Sequence, residues 1–364
     1  MLRKFKKFTL MMIAGANIVT VLIMLLIGYS DRLDPVEHTV LSSAGLAFPI
    51  FLIFNLGFLV FWVVFKWRYA LIPVAGYLLC ISPLRTYLPL NVPSAPPKGA
   101  IKVLSYNVWY FGSGKNYEHT NPIITYLARQ QADIVCLQEA NINDKGQAEA
   151  DSLLRPIYPY CDTSNISGVN DMLTLYSKYP ILKREDIKYS SKSNHSVAYY
   201  LKIDGDTVIV INNHLESIGL TPDDKSQFKS LVKGDLKRDS AENESKRLID
   251  KLGEAAARRA PQAKAVAEFI TRHKDKSIIC VGDFNDSPIS FTHHTIASKL
   301  TDCYTASGNG PGISYHQSGF YFRIDNILCS DDWEPYGCKV DNSIADSDHY
   351  PIICWLKKRP KTIK

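Results

Sequence analysis

Two uncharged and almost wholly apolar runs near the N-terminus constrain the fold of this chain most strongly. They extend over residues 8–29 and 41–65. Each is longer than the roughly 20 residues that an α-helix needs to cross a hydrocarbon core. A shorter apolar run at residues 69–84 reaches across only if its flanking arginines snorkel. We therefore predict about three membrane spans, with two spans and a buried third segment as the alternative.

Basic residues indicate how these spans are oriented. Four Lys or Arg residues precede the first run, and Lys66 and Arg68 separate the second from the third. The loop between the first two runs, "SDRLDPVEH", is net acidic. Because basic residues stay on the cytoplasmic side, we predict a multi-pass protein of the cell (inner) membrane with a cytoplasmic N-terminus. Three crossings place everything after Arg85 outside the cytoplasm, in the periplasm; without the third crossing, this conclusion reverses.

The positive charge of the chain belongs to its membrane region. Residues 1–98 hold nine Lys or Arg and three acidic residues, which is the whole formal charge of +6, so residues 99–364 are formally neutral. The basic isoelectric point therefore gives no argument for nucleic-acid binding. The eight cysteines show no CxxC spacing, and the sequence selects no disulfide pair.

The remainder of the chain divides into a linker, a large domain and a tail. Residues 85–100 are proline-rich and predict a semi-extended linker after the membrane region 1–84. Residues 101–357 alternate between strand-like and helical patterns, which predicts two packed sheets covered by helices. Within this domain, residues 222–273 predict polar helical structure that breaks near Pro261. Residues 358–364 form a short basic tail.

Polar residues end the apolar strands of this domain repeatedly. The stretch "IICVGDFNDSP", for example, begins as a buried strand and finishes in carboxylates, an amide and a proline. A single ending of this kind is usually a turn. Six such endings, all carrying oxygen ligands or imidazoles, predict one shared cleft at the strand ends. They place the following residues there: Asn107, Glu139, His214, Asp283 with Asn285, Asp325, and Asp348 with His349.

These motifs carry a family resemblance. "SYNVW", "LQE", "NNHLES", "GDFND", "RIDNIL" and "SDHYPI" occur in this order over about residues 100–357. Together they resemble the endonuclease/exonuclease/phosphatase superfamily, whose deoxyribonuclease-I-like fold is shared by abasic-site endonucleases, sphingomyelinases and inositol-polyphosphate phosphatases. The resemblance implies an α+β four-layer αββα sandwich, here preceded by the membrane helices. It also implies metal-dependent cleavage of phosphate esters.

The resemblance assigns the metal ligands. Glu139 is implied as the main ligand, with Asn107 and Asp348 assisting directly or through water, and Asp283 as a candidate ligand of a second metal. Hard oxygen donors of this kind suit Mg²⁺, with Mn²⁺ or Ca²⁺ as alternatives. Whether one or two metals act stays open.

The resemblance also assigns the catalytic residues. His349 is implied as the general base, with its ring oriented by Asp325. Asp283 and Asn285 would position the water and a phosphoryl oxygen, and His214 would bind the phosphate or the leaving group. Whether His349 or Asp283 takes the proton stays open.

The expected function is that of a membrane-anchored phosphoesterase that hydrolyses phosphodiester bonds, of the endonuclease or exonuclease type. The alternative is the same chemistry on a phospholipid, as in a sphingomyelinase, or on a phosphosugar. A third possibility is a catalytically inactive scaffold. The expected partners are the lipid bilayer and a phosphate-ester substrate, either nucleic acid or phospholipid; the sequence predicts no protein partner.

Overall fold

A computed structural model gives the architecture of the chain. It describes residues 2–113, 115, 117, 119–165, 171–233, 235, 238–317 and 319–360.

The N-terminal part is a small helical bundle. Its helices are α1 (Leu2–Gly28), α2 (Thr39–Ser42), α3 (Phe48–Phe65), α4 (Leu71–Leu79) and α5 (Ile81–Tyr87). The stretches Lys4–Arg32 and Thr39–Phe65 are long and apolar enough to cross a membrane. The third predicted run forms α4 and α5, which meet at an angle of 67° as a broken span or a re-entrant loop. The bundle thus has two candidate spans, or three if the bent pair is one span.

Twelve strands of the described chain form two six-stranded sheets. They are β1 (Ile101–Asn107), β2 (Ile134–Gln138), β3 (Tyr160–Asn165), β4 (Met172–Ser177), β5 (Ile181–Ile187), β6 (Ser196–Ile203), β7 (Asp206–His214), β8 (Ser277–Asp283), β9 (Thr301–Asp302), β10 (Asp325–Cys329), β11 (Trp333–Val340) and β12 (Ile352–Lys358). The first sheet has the order β11-β12-β1-β2-β4-β3 and the second the order β5-β6-β7-β8-β10-β9. Both are mixed, because β1–β2 and β7–β8 are parallel pairs among antiparallel ones.

The helices of this domain are α6 (Pro122–Gln130), α7 (Asp144–Leu154), α8 (Pro222–Lys233), α9 (Arg238–Arg272), α10 (Phe291–Ala297) and α11 (Cys303–Ser307). Helices α6, α7, α9 and α10 cover the outer faces of the sheets, whereas α8 packs against α9 and α11 contributes Cys303 to the core between the sheets. Leu127 of α6 packs in one outer cluster with Leu104 and Val135 of the first sheet. Phe269 and Ile270 of α9 pack in another with the second sheet. This arrangement confirms the four-layer αββα sandwich.

A dry core fills the space between the two sheets. Val103 and Cys136 of the first sheet and Val210, Val281 and Ile327 of the second belong to it, and each is fully or almost fully buried. Alternate residues of every strand therefore point inward, as side chains of a sandwich must. Burial of each such aliphatic side chain stabilises the fold by roughly 1.5–3 kcal/mol.

The expected break at Pro261 is wrong, because α9 continues through this residue to Arg272. A proline inside a helix removes one hydrogen bond and costs roughly 3 kcal/mol. Here Pro261 lies on the exposed face of the helix. Ala260 and Ala263, on the opposite face, are fully buried. Packing of the buried face therefore outweighs the tendency of proline to end the helix.

The cysteines are free thiols. Cys136, Cys280 and Cys354 are buried in the core. The sulfur atoms of Cys303 and Cys329 lie 3.6 Å apart.

Candidate active site

The strand-end residues meet at one edge of the sandwich. In the parallel pair β1–β2, Asn107 lies opposite Gln138, and in the parallel pair β7–β8, His214 lies opposite Asp283. Strand β10 is antiparallel to β8 and begins opposite its end, so that Asp325 also pairs with Asp283. The apolar strands therefore deliver polar side chains from distant parts of the chain to a single cleft.

Three polar side chains join the two sheets at this edge. The Asn107 amide donates to Glu139 Oε1 at 3.0 Å and to Asp283 Oδ2 at 3.2 Å. Glu139 has a φ of 51° and Asn285 a φ of 52°, in the left-handed region where side chains are strained. Such strain concentrates at functional sites. The Glu139 side chain keeps 21% of its surface exposed, so it is accessible from the cleft.

Asp283 lies between two imidazoles, each held from behind by a carboxylate. His349 Nε2 is 3.6 Å from Asp283 Oδ2, and its Nδ1 is 2.8 Å from Asp325 Oδ2. On the other side, His214 Nε2 is 3.8 Å from Asp283 Oδ2, and its Nδ1 is 3.0 Å from Asp171 Oδ1. Each carboxylate fixes the orientation of its imidazole, so both Nε2 atoms face the same carboxylate.

The pKa values of His214, His349 and Asp283 at this site are all raised. Burial disfavours the charged form of His214, but Asp171, Asp283 and Glu139 raise its pKa to about 10. Burial likewise opposes protonation of His349, yet Asp325 and Asp283 hold its pKa well above the usual value. Burial raises the pKa of Asp283 to about 6, although both imidazoles act to lower it. Asp283 and His349 therefore titrate as a linked pair.

Two predicted residues have less direct positions. The Asn285 amide donates to the Leu215 carbonyl at 2.9 Å, and its backbone N–H donates to Asp283 Oδ1 at 2.8 Å. Asn285 thus fixes the loop that carries Asp283. Asp348 is half-buried beside His349, and its charge helps to raise the pKa of that imidazole. Among the described residues, no hydrogen bond joins the Asp348 carboxylate to the other site side chains, so its role as a ligand stays a prediction.

Asp171, in the motif "GVNDM", was considered from the sequence as a residue that orients His214 but was not assigned to the site, and the other neighbours were not predicted. Asp171 holds His214 and also lies 3.2 Å from His195 Nδ1, so one buried carboxylate serves two histidines. Its position just before β4 was a weak signal, because it ends no apolar strand. Tyr315 packs edge-on against His349 with ring centroids 5.1 Å apart, and Lys225 donates to its hydroxyl at 2.8 Å. No strand-end pattern marks either of these two residues.

The donor set fits a divalent cation. Four carboxylates, those of Glu139, Asp171, Asp283 and Asp325, surround two imidazoles, so negative charge remains in excess even when both rings are protonated. Asp325 Oδ1 is buried and has no hydrogen-bond partner among the described residues. One ligand atom each from Asp283, Asp325 and His349 lie within 4.8 Å of one another. Oxygen-rich sites of this kind suit hard cations such as Mg²⁺.

Fold and site together define the class of αββα phosphoester hydrolases. Residues 104–349 match the Endonuclease/Exonuclease/phosphatase family, and the chain belongs to that family, whose members hydrolyse phosphoester bonds. Residues 8–87 match a second family, described only as a domain of unknown function. No curated protein sequence matches the chain.

Solved structures share the fold. D. rerio TDP2 in complex with a single-strand DNA product is 15% identical, with a TM-score of 0.52; the match covers 72% of this chain and 100% of that one. A functionally unknown conserved protein from Enterococcus faecalis V583 is 13% identical, with a TM-score of 0.50 and coverage of 71% and 100%. SmcL is 15% identical, with a TM-score of 0.50 and coverage of 72% and 100%. At these identities the likeness shows the fold alone.

Proposed function

We propose that this chain is a membrane-anchored, divalent-metal-dependent phosphodiesterase. The observation that carries the proposal is the position of Asp283, which lies between two carboxylate-held imidazoles and is joined through Asn107 to Glu139. In the reaction, water adds to phosphorus and one P–O ester bond breaks, which leaves a phosphomonoester and an alcohol.

The metal site of this proposal is built on Glu139. Asn107 and Asp348 would assist it, and Asp283 would reach a second ion if two are bound. A bound Mg²⁺ supplies neutralisation of the charge that develops on the phosphoryl oxygens. The accessible Glu139 carboxylate and the excess of negative charge around it support this assignment.

The linked pair Asp283–His349 is the proposed acceptor of the proton from the attacking water. Asp325 holds His349 in the orientation that directs Nε2 at Asp283. His214, held by Asp171 on the opposite side, is placed to donate to a phosphoryl oxygen or to the leaving group. Asn285 keeps the Asp283 loop in place and is assigned the contact with a phosphoryl oxygen.

Contacts of the membrane bundle support an extracytoplasmic location of this site. The loop after the first span contacts the catalytic domain through Asp34, which binds Lys264. The end of the third segment contacts it too, since Thr86 accepts a hydrogen bond from Arg323. Both ends lie on one side of the membrane only if the third segment crosses it. The acidic loop and the positive-inside rule make that side extracytoplasmic.

Substitution of the site residues tests the proposal. The assay is hydrolysis of bis(4-nitrophenyl) phosphate by the purified full-length protein, with Mg²⁺ and with chelator. Glu139→Ala and His349→Ala are each expected to lower turnover at least a hundredfold, and chelator to abolish it. Asp275→Asn, which alters an exposed carboxylate on the opposite edge, is the matched control. Unchanged turnover in both site variants would refute the assigned site, whereas no turnover by the wild type would favour the inactive scaffold.

A further inference from the structure

The catalytic edge of the sandwich is the part of the domain that rests on the membrane bundle. Ile289 lies six residues after Asp283, and it is buried in a cluster with Met24, Phe48 and Cys80 of the bundle. The backbones also meet here, because a Cβ atom on Gly45 would lie 2.0 Å from the Ile289 carbonyl oxygen. The loop that follows Asp283 is therefore packed against the outer end of the membrane helices.

A second loop of the same edge makes a parallel contact. The buried Arg323 guanidinium donates to the Thr86 carbonyl at the end of α5. The following linker is fixed as well, since Asn91 donates to the Gly308 carbonyl at 2.7 Å and Gly310 donates to the Pro89 carbonyl at 2.9 Å. The loops before β10 and after β8 thus both connect the catalytic centre to the bundle.

Two contacts of aspartate side chains, one an ion pair with a lysine and one with a histidine, add to this attachment at its side. Asp34 Oδ2 lies 2.5 Å from Lys264 Nζ of α9, and Asp31 Oδ2 lies 3.3 Å from His294 Nδ1 of α10. The acidic residues of the loop between the first two spans therefore bind the catalytic domain. We call this set of two pairs the clamp.

The covalent distances place the active site close to the lipid headgroups. Thr86 directly follows Arg85, where the third apolar run ends. Arg323, which binds Thr86, is two residues from Asp325, a reach of at most about 7 Å along the chain. The headgroup layer on one side of a bilayer is roughly 5–8 Å thick. The Arg323 side chain and its hydrogen bond add about 10 Å to this reach, so Asp325 lies at most about 17 Å from Thr86 and the cleft lies within about two to three headgroup layers of the bilayer surface.

The surface around this edge suits lipid better than nucleic acid. Leu90, Val92 and Tyr321 are 81%, 92% and 56% exposed, and Leu90 is only three residues beyond the end of α5. Exposed apolar side chains at the membrane surface are typical of lipid contact. In contrast, the domain is formally neutral, and Arg259 beside the Asp283 loop is neutralised by Asp286 at 3.2 Å. Nucleic acid would need an excess of basic residues there.

We infer that the substrate is a phosphodiester in the headgroup of a bilayer lipid in the extracytoplasmic leaflet, and that the bundle holds the cleft against it. This inference rests on the proposed hydrolase function. It favours a bilayer lipid over nucleic acid, whereas the sequence motifs favoured nucleic acid as the substrate.

The test uses the full-length protein in vesicles of phosphatidylethanolamine and phosphatidylglycerol. Mass spectrometry measures headgroup products, and parallel reactions contain the deacylated glycerophosphodiesters, single-stranded DNA and bis(4-nitrophenyl) phosphate. At equal phosphodiester concentration, the bilayer lipid is expected to react at least ten times faster than its deacylated form or DNA. Lys264→Glu, which breaks the clamp outside the active site, is expected to lower lipid turnover at least fivefold and to leave bis(4-nitrophenyl) phosphate turnover unchanged. Lys276→Glu, at the opposite edge, is the control.

The outcomes distinguish failure of the lipid inference from failure of the proposed hydrolase function. Hydrolysis of DNA or soluble diesters at rates equal to or above that of the bilayer lipid overturns the lipid inference and leaves the hydrolase standing. Equal loss of lipid and bis(4-nitrophenyl) phosphate turnover in Lys264→Glu overturns the role of the clamp. No turnover of any substrate, with Mg²⁺ present, overturns the proposed function itself.

Discussion

Replacement of Asp325 by Asn is the sharpest test of how the site works. Asp325 Oδ2 lies 2.8 Å from His349 Nδ1, and both residues are almost fully buried. Asn has nearly the same shape, and its carbonyl oxygen can still accept the hydrogen bond, so the ring keeps its orientation. Only the negative charge that stabilises the imidazolium is removed.

The size of the effect follows from that charge. At a charge separation of about 4 Å and an effective dielectric constant of about 20, the lost interaction is worth about 4 kcal/mol. At about 1.4 kcal/mol per tenfold change, this corresponds to a fall in kcat of at most about a thousandfold, which is reached only to the extent that the charge on His349 develops in the transition state. KM should change little, because Asp325 faces His349 and not the cleft opening.

The assay is steady-state hydrolysis of bis(4-nitrophenyl) phosphate with saturating Mg²⁺, together with thermal unfolding followed by circular dichroism. Asp332→Asn serves as the control, since that carboxylate pairs with Lys358 at the opposite edge. A loss in kcat of less than tenfold in a folded Asp325→Asn variant would refute the argument that this carboxylate supports a charged His349.

Three further substitutions probe separate parts of the chain. Asp171→Asn removes the buried carboxylate shared by two histidines and should destabilise the domain by about 3–5 kcal/mol, measured by urea unfolding. Asp302→Ala removes the N-cap of α11 and the partner of His293, and should cost about 2 kcal/mol. Because His293 and other partners hold the pKa of Asp302 below 3.8 despite its burial, its contribution is present at neutral pH and lost as the pH falls below about 4, so the variant and the wild type should converge in acid. Gly45→Val forces a side chain into the Ile289 carbonyl and should lower lipid turnover in vesicles without lowering turnover of a small soluble diester.

Strand-end residues were predictable from the sequence because the fold positions them through hydrogen-bond register. An apolar strand such as β8 must be buried. Asp283, the polar residue that ends its apolar run, therefore lies at the sheet edge regardless of the loop conformation. The same reasoning places Asn107 and His214 correctly, whereas Asp325 reaches this edge as the first residue of β10, which runs antiparallel to β8. Local patterns were sufficient where one strand determined the position of one side chain.

The other neighbours of the site depend on loops and on tertiary packing. Asp171 reaches His214 from the position just before β4 of the other sheet, and Tyr315 reaches His349 from a loop before β10. No periodic pattern in the sequence predicts either contact, since each depends on how two distant segments pack. The continuation of α9 through Pro261 has the same origin, because the buried face of the helix decided the outcome.

The crossing of the third segment can be tested independently of any activity. Charge bias and domain contacts predict that Lys66 lies in the cytoplasm and that Ser94, which is exposed in the linker, lies outside it. A membrane-impermeant maleimide added to intact cells should therefore label Ser94→Cys, whereas Lys66→Cys should react only after permeabilisation. The wild type is the control for the native thiols, most of which are buried. Protection of both variants in intact cells would show that the third segment does not cross and would place the active site in the cytoplasm. The contact between Asp34 and Lys264 would then be impossible, because the loop that carries Asp34 would lie on the other side of the membrane, and the inference of an outer-leaflet substrate would fall with it.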